Sequence, residues 1–315
     1  MGAAWKPAAR LNAQLADMLT SRGFTTVIDL GADPGVTISL RRRIEAGELA
    51  GPKIYTSGAP LYPPKGIPYY LKDTLPFYIL WQMPQPETAE EAARIEENNI
   101  ARGADVLKLF TGSCIARDEV LPMPEAIARA AVEMARRHGQ VAFSHTSNLA
   151  GTMVAIRAGV NVLAHAPDSP EGINDELWRT VAGRGMAMIP TLKMFATTVT
   201  TKPEYLQPIY AEVREFHALG GQLLFGTDVG YMHDYTTEHE FAALGELGLT
   251  ARDVLRMLTT APAERLGVAN ESGTVEPGKR ADLVVLKRDP EEDIRAFAGV
   301  QCTVRNGRVI YARPK

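Results

Sequence analysis

The chain alternates short, near-continuously apolar runs with longer stretches in which apolar residues recur at helical spacing. Seven runs read as strands: 25–31 (TTVIDLG), 53–57 (KIYTS), 105–110 (DVLKLF), 141–145 (VAFSH), 161–165 (NVLAH), 186–190 (MAMIP) and 222–228 (QLLFGTD). Unbroken apolarity of this kind suits strands covered on both faces, as in a parallel sheet wrapped by helices. The spacing predicts helices over 8–22, 37–49, 87–102, 123–138, 173–184, 204–219, 237–247 and 251–260. Thr250 and Asp253 stand where a capping box would open the last of them. Together these elements predict an α/β fold, a TIM-type (β/α) barrel over residues 1–267 to which the chain contributes seven strands.

Two segments break the rhythm. Residues 59–86 carry prolines at 60, 63, 64, 68, 76, 84 and 86 together with Tyr62, Tyr69, Tyr70 and Trp81. That composition predicts a long ordered loop overhanging a site. Beyond Gly267, the turn-forming GTVEPGK at 273–279 precedes strands at 281–286 and 300–311. Within the second strand run, Asn306-Gly307 suits a type I′ hairpin turn. Residues 268–315 are therefore expected to form a small C-terminal β appendage.

Charge narrows the partners. Lys and Arg number 34 against 37 Asp and Glu, a net charge of -3 that creates no field for nucleic acid or an anionic membrane. A small-molecule partner is the remaining expectation. Cys114 and Cys302 are the only cysteines, with no C-x-x-C spacing, which removes a disulfide framework or cysteine-rich zinc site and points to the cytoplasm. No apolar run reaches the ~18 residues of a membrane span. Lys6, Arg10 and Asp17 interrupt any signal-peptide core. The commonest serine-hydrolase, nucleotide-binding and zincin motifs are missing.

In a parallel barrel, chemistry gathers at the carboxyl ends of the strands. Alternation groups Val106 and Phe110 with Lys108, Val141 and Phe143 with His145, Asn161 and Leu163 with His165, and Leu224 and Gly226 with Asp228. Four ionisable groups are thus expected in one mouth. Imidazoles and carboxylates are the ligands of a catalytic zinc or similar ion, and a coordinated ion would account for their shared burial. Lys108 would join them only as an oxygen-donor carbamate formed with carbon dioxide. Simpler roles stay open: structural histidines, Asp228 as a helix cap, and Lys108 as an ion-pair partner or Schiff-base amine.

At this point the sequence resembles the metal-dependent amidohydrolase superfamily, particularly its imidazolonepropionase-like and Xaa-Pro dipeptidase-like branch. The supporting segments are GFTTVIDLG (23–31), RIEAGELAGPKIYTSG (43–58), GADVLKLFTGS (103–113), VAFSHTS (141–147), GVNVLAHA (159–166), FGTDVGY (225–231), LTTAPAERLG (258–267) and GTVEPGKRADLVVL (273–286). The resemblance implies hydrolysis of an amide or related C–N bond, with lactones and carbamates also within range. It assigns Lys108 as a carboxylated lysine, His145 and His165 as metal ligands, and Asp228 as both ligand and general base. It further implies one or two divalent ions, zinc first and manganese as the alternative.

One departure from the family pattern stands out. Members carry a His-x-His pair on the first barrel strand, whereas no such pair occurs here and the first histidine is His138. The resemblance therefore predicts a chain lacking that strand and the N-terminal half of the small β domain. Unpaired edges at 25–31 and 222–228 would follow, along with self-association. His233, Asp234, Glu238 and His239 are weighed as substitute ligands, and a catalytically impaired or purely binding barrel is the competing reading.

Overall fold

Each of the seven apolar runs contributes a strand in the computed structural model, which describes residues 5–198 and 203–314. They are β1 (Thr26–Asp29), β2 (Lys53–Thr56), β3 (Val106–Phe110), β6 (Val141–His145), β7 (Val162–Ala164), β8 (Ala187–Ile189) and β9 (Gln222–Leu223). Between β3 and β6, the chain forms the antiparallel hairpin β4 (Gly112–Ala116) and β5 (Glu119–Pro122). The barrel strands run parallel in the order β3-β6-β7-β8-β9, with β1-β2 as a separate parallel pair.

The break after Thr56 has a local cause. Gly58 takes a left-handed φ of 66°, turning the chain out of the ladder. Asn99, on the helix Ala89–Ala101, then clasps Ala59 by accepting its N–H at 3.2 Å and donating to its carbonyl at 3.0 Å. The chain returns at Leu61, which bridges Leu109 in parallel fashion, so the two sheets remain stitched together. The Asp105 N–H adds a 2.8 Å bond to the Thr56 carbonyl. Among the described residues, β1 pairs only with β2, and β9 only with β8.

Strand alternation sorts the core into two layers. Val106, Phe143, Val162, Ala164, Ala187 and Leu224 fill the inside, while Leu107, Leu109, Leu163 and Met188 pack outward beneath the helices. This corrects one expectation, because Leu163 faces the helices and does not share the inner face with His165. β7 ends at Ala164, so His165 is free of the pleat that would have pointed it outward.

The helix Leu149–Ala158 escapes the apolar pattern, but Asn148 caps it by accepting the Gly151 N–H at 3.0 Å. The capping box of Thr250 and Asp253 opens the helix Ala251–Leu258 as expected. Within 59–86 lie two short helices, Tyr69–Thr74 and Phe77–Leu80, and β8 is followed by the helix Leu192–Thr198. Residues 199–202 lie outside the described residues.

The C-terminal strands β10 (Leu283–Leu286), β11 (Val300–Arg305) and β12 (Arg308–Ala312) form one antiparallel sheet. Asn306 and Gly307 both have positive φ, 48° and 72°, as a type I′ turn requires. Thr303 Oγ1 donates to the Thr20 carbonyl at 2.7 Å, and Arg305 pairs with Glu45, seating this sheet against the N-terminal segment. No helix among the described residues is long and apolar enough to cross a membrane.

Candidate active site

β3 delivers Lys108 into the barrel with only 4% of its surface exposed. Its Nζ donates to the Ala164 carbonyl at 2.8 Å and lies 5.1 Å from the Phe110 ring centre. Burial lowers its pKa to about 8, against the opposing pull of the Asp228 carboxylate. The side chain is thus far easier to deprotonate than a surface lysine.

Ending β6, His145 has its ring centre 6.0 Å from that of His165 and 5.1 Å from that of Phe110, on which Tyr62 stacks in turn. Burial, reinforced by Lys108 and then His165, holds its imidazole well below the usual range. For His165, burial and the Lys108 charge lower the pKa to about 3. Both rings are therefore neutral at physiological pH and carry one lone pair each. His165 Nδ1 is buried with no hydrogen-bond partner among the described residues, while its Nε2 lies 3.7 Å from Asp228 Oδ2. With the ring neutral, that last contact is not an ion pair.

Asp228 sits beyond the two-residue β9, with a left-handed φ of 54°. Burial raises its pKa and the Lys108 charge partly offsets the rise. Lys108, His145, His165 and Asp228 all line one cavity of about 2210 Å³. Asp168, Cys114, Tyr70 and Tyr231 line it too, and the last two meet edge to face with ring centres 5.6 Å apart. The cavity also runs down an apolar flank past Val27, Leu266 and Val284.

Among the described residues, no three His, Cys, Asp or Glu side chains are arranged to hold a metal ion by themselves. Of the weighed substitutes, His233 and Asp234 line the same cavity, Asp234 pairing with Lys193 Nζ at 2.9 Å, whereas Glu238 and His239 are exposed on the following helix.

Sequence reasoning missed two supports of this site. Ser147 Oγ lies 2.9 Å from His145 Nε2, a contact hinted at only by a hydroxyl residue two places after the histidine. Lys193 is 2% exposed, and its Nζ donates to the Asp234 and Thr236 carbonyls at 2.9 and 2.7 Å. Glu240 accepts the N–H groups of Leu192 and Lys193 at 3.0 and 2.7 Å, and burial raises its pKa to about 7. Hydrogen bonding from Lys193 is the main reason Asp234 is held well below the ordinary carboxylate range. No local pattern announces a clamp whose halves lie on different loops.

The sequence profile of the amidohydrolase family matches residues 9–310. An ochratoxinase from Aspergillus niger is 26% identical over 309 residues, covering 87% of this chain and 62% of that protein. An imidazolonepropionase from Thermoplasma acidophilum is 32% identical over 113 residues, covering 34% of this chain and 28% of its own length. In structure, the chain resembles a Xaa-Pro dipeptidase solved with methionine bound in its active site. That pair has a TM-score of 0.83 at 24% identity, over 97% of this chain and 78% of the dipeptidase. The chain thus spans 62% of the length of the ochratoxinase it matches.

Proposed function

Since the chain belongs to the amidohydrolase family, we propose that it is a metal-dependent hydrolase. Its substrate is a small molecule or short peptide-like compound cleaved at an amide or related C–N bond. The single observation that carries this reading is the burial of an amine, two neutral imidazoles and a carboxyl group around one cavity.

The donor set suits a divalent cation, zinc first and manganese second. His165 Nδ1 is a buried nitrogen without a partner among the described residues, both neutral imidazoles offer a lone pair, and Asp228 supplies oxygen. Lys108 completes the set once carboxylated. At pH 7, a pKa of about 8 leaves about a tenth of the amines neutral, and that form attacks carbon dioxide. The new N–C bond gives a carbamate and releases one proton to solvent, which removes the cost of a buried ammonium. His145, His165, the Lys108 carbamate and Asp228 would then hold the ion, which supplies Lewis-acid polarisation of the scissile carbonyl and of water.

The remaining work belongs to the chain. Asp228, its pKa raised by burial toward the operating range, accepts the proton of the attacking water and returns it to the leaving nitrogen. Phe110 and the Tyr62 ring stacked on it close one side of His145 to solvent. Tyr70 and Tyr231 narrow the mouth.

Metal analysis combined with hydrolysis of dipeptides, N-acyl amino acids and N-formyl amines tests the proposal. Stoichiometric zinc or manganese and chelator-sensitive turnover are expected. Asp228→Asn should lower kcat by roughly 10²- to 10⁴-fold. Metal-free protein without turnover would overturn the reading in favour of a non-catalytic barrel. Covalent trapping at Lys108 by borohydride with a carbonyl compound would instead favour a Schiff-base amine, the second role its lowered pKa supports.

A further inference from the structure

The buried hydroxyl beside His145 has a determinate pattern of donation. Ser147 Oγ lies 2.9 Å from His145 Nε2, 3.2 Å from Cys114 Sγ and 3.2 Å from the Gly112 carbonyl. A serine hydroxyl offers one hydrogen and two lone pairs, so three partners use its full capacity. The carbonyl can only accept, and Pro122, opposite Gly112 across the β4–β5 hairpin, has no N–H to give it. With the serine hydrogen on Gly112, Oγ receives the contact from His145 Nε2, so the imidazole is its donor; the Cys114 thiol has a second acceptor in Asp168 Oδ2 at 3.9 Å.

We propose that Ser147 fixes the single imidazole proton of His145 on Nε2, leaving Nδ1 with its lone pair bare. Ser147 is a positioning residue: it touches no reacting atom and acts through the ring it orients. The hydroxyl is held firmly in place. Ser147 is 2% exposed, has a left-handed φ of 55°, and its carbonyl accepts the Ser169 N–H at 2.8 Å from the loop following His165. One residue earlier, the Thr146 carbonyl is wedged between Gly112 and Gly151, where a Cβ on either glycine would stand 2.0 Å from its oxygen. The consequence for the reaction rests on the metal-dependent reading above: Nδ1 is the nitrogen that His145 offers to an ion.

The test begins on metal-free protein labelled with ¹⁵N-histidine, in which six imidazoles report and His145 is identified by its loss in His145→Asn. A protonated Nε2 and an unprotonated Nδ1 are expected in the unmodified chain. Ser147→Ala and Ser147→Gly, the second suited to the positive φ, should each give an averaged signal from both tautomers. Cobalt(II) affinity, followed by its visible absorption, should fall roughly 10- to 100-fold in the same variants.

A proton on Nδ1 in the unmodified chain overturns the assignment, as does an unchanged tautomer in a folded Ser147→Gly. Should neither variant fold, the spectrum of the unmodified chain alone decides. If that chain shows the Nε2–H ring yet binds no cobalt, the Ser147 assignment stands and the metal reading fails.

Discussion

β3 and β6 hold Lys108 and His145 in a different way from the loop that holds Asp228. The first two residues sit on adjacent parallel strands in a five-residue register, with Lys108 beside Phe143 and Phe110 beside His145. Backbone hydrogen bonds set that geometry, and most side-chain substitutions leave it alone. Asp228 lies beyond a strand of two residues, and its loop is fastened by one buried ammonium and one buried carboxyl, Lys193 and Glu240. One wall of the site is therefore set by main-chain pairing and the other by removable side chains.

The largest effect should come just beyond the ladder wall, where Gly112 on β4 meets Thr146 after β6 with no slack. Gly112→Ala would put a methyl group 2.0 Å from the Thr146 carbonyl oxygen, a clash with backbone that no rotamer relieves. Overpacking costs typically 1–3 kcal/mol, and this variant should reach the top of that range in chemical denaturation while losing metal affinity. Wild-type stability and cobalt binding would mean that the wall is softer than its packing implies.

On the other wall, Lys193→Met should cost about 1–3 kcal/mol by leaving the Asp234 and Thr236 carbonyls without their donor. The distinguishing readout is hydrogen exchange, which should quicken over 229–237 and stay unchanged over β3 and β6. Uniform quickening across both regions would erase the contrast drawn above.

A smaller effect is expected at the junction between the two sheets. Glu96, fully buried beside Asn99, has its pKa raised by burial from 4.5 to about 8, partly offset by the Asn99 hydrogen bond. Below pH 4.5 it is protonated in both folded and unfolded chains, and its contribution is complete. As pH rises toward 8 the unfolded chain ionises first, so that contribution is progressively lost. Glu96→Gln should flatten this decline and stabilise the protein at pH 8 by on the order of 1 kcal/mol. Parallel pH profiles for the two proteins would count against it.

The same contrast explains what the sequence disclosed. Strands buried on both faces leave long apolar runs, so all seven barrel strands were legible, and the structure brings Lys108, His145 and Asp228 to one cavity. His165 reaches that cavity by another route than alternation gave: Leu163 faces outward, whereas β7 stops short and the histidine turns by itself. The helix Leu149–Ala158 was missed because its apolar residues lie on all sides, with Gly151 and Thr152 near its buried start. Ser147 and Lys193 were illegible because each acts across a gap in sequence, on Gly112 in one case and Asp234 in the other. Tertiary adjacency leaves no periodic trace.

The edge-to-face meeting of Tyr70 and Tyr231 joins a proline-rich overhang to the turn following Asp228. Two segments far apart in the chain consequently build one part of the cavity lining together. Grafting residues 59–86 from a relative would therefore transplant half of that contact. To keep turnover, such a chimaera would need a matching exchange at 229–237.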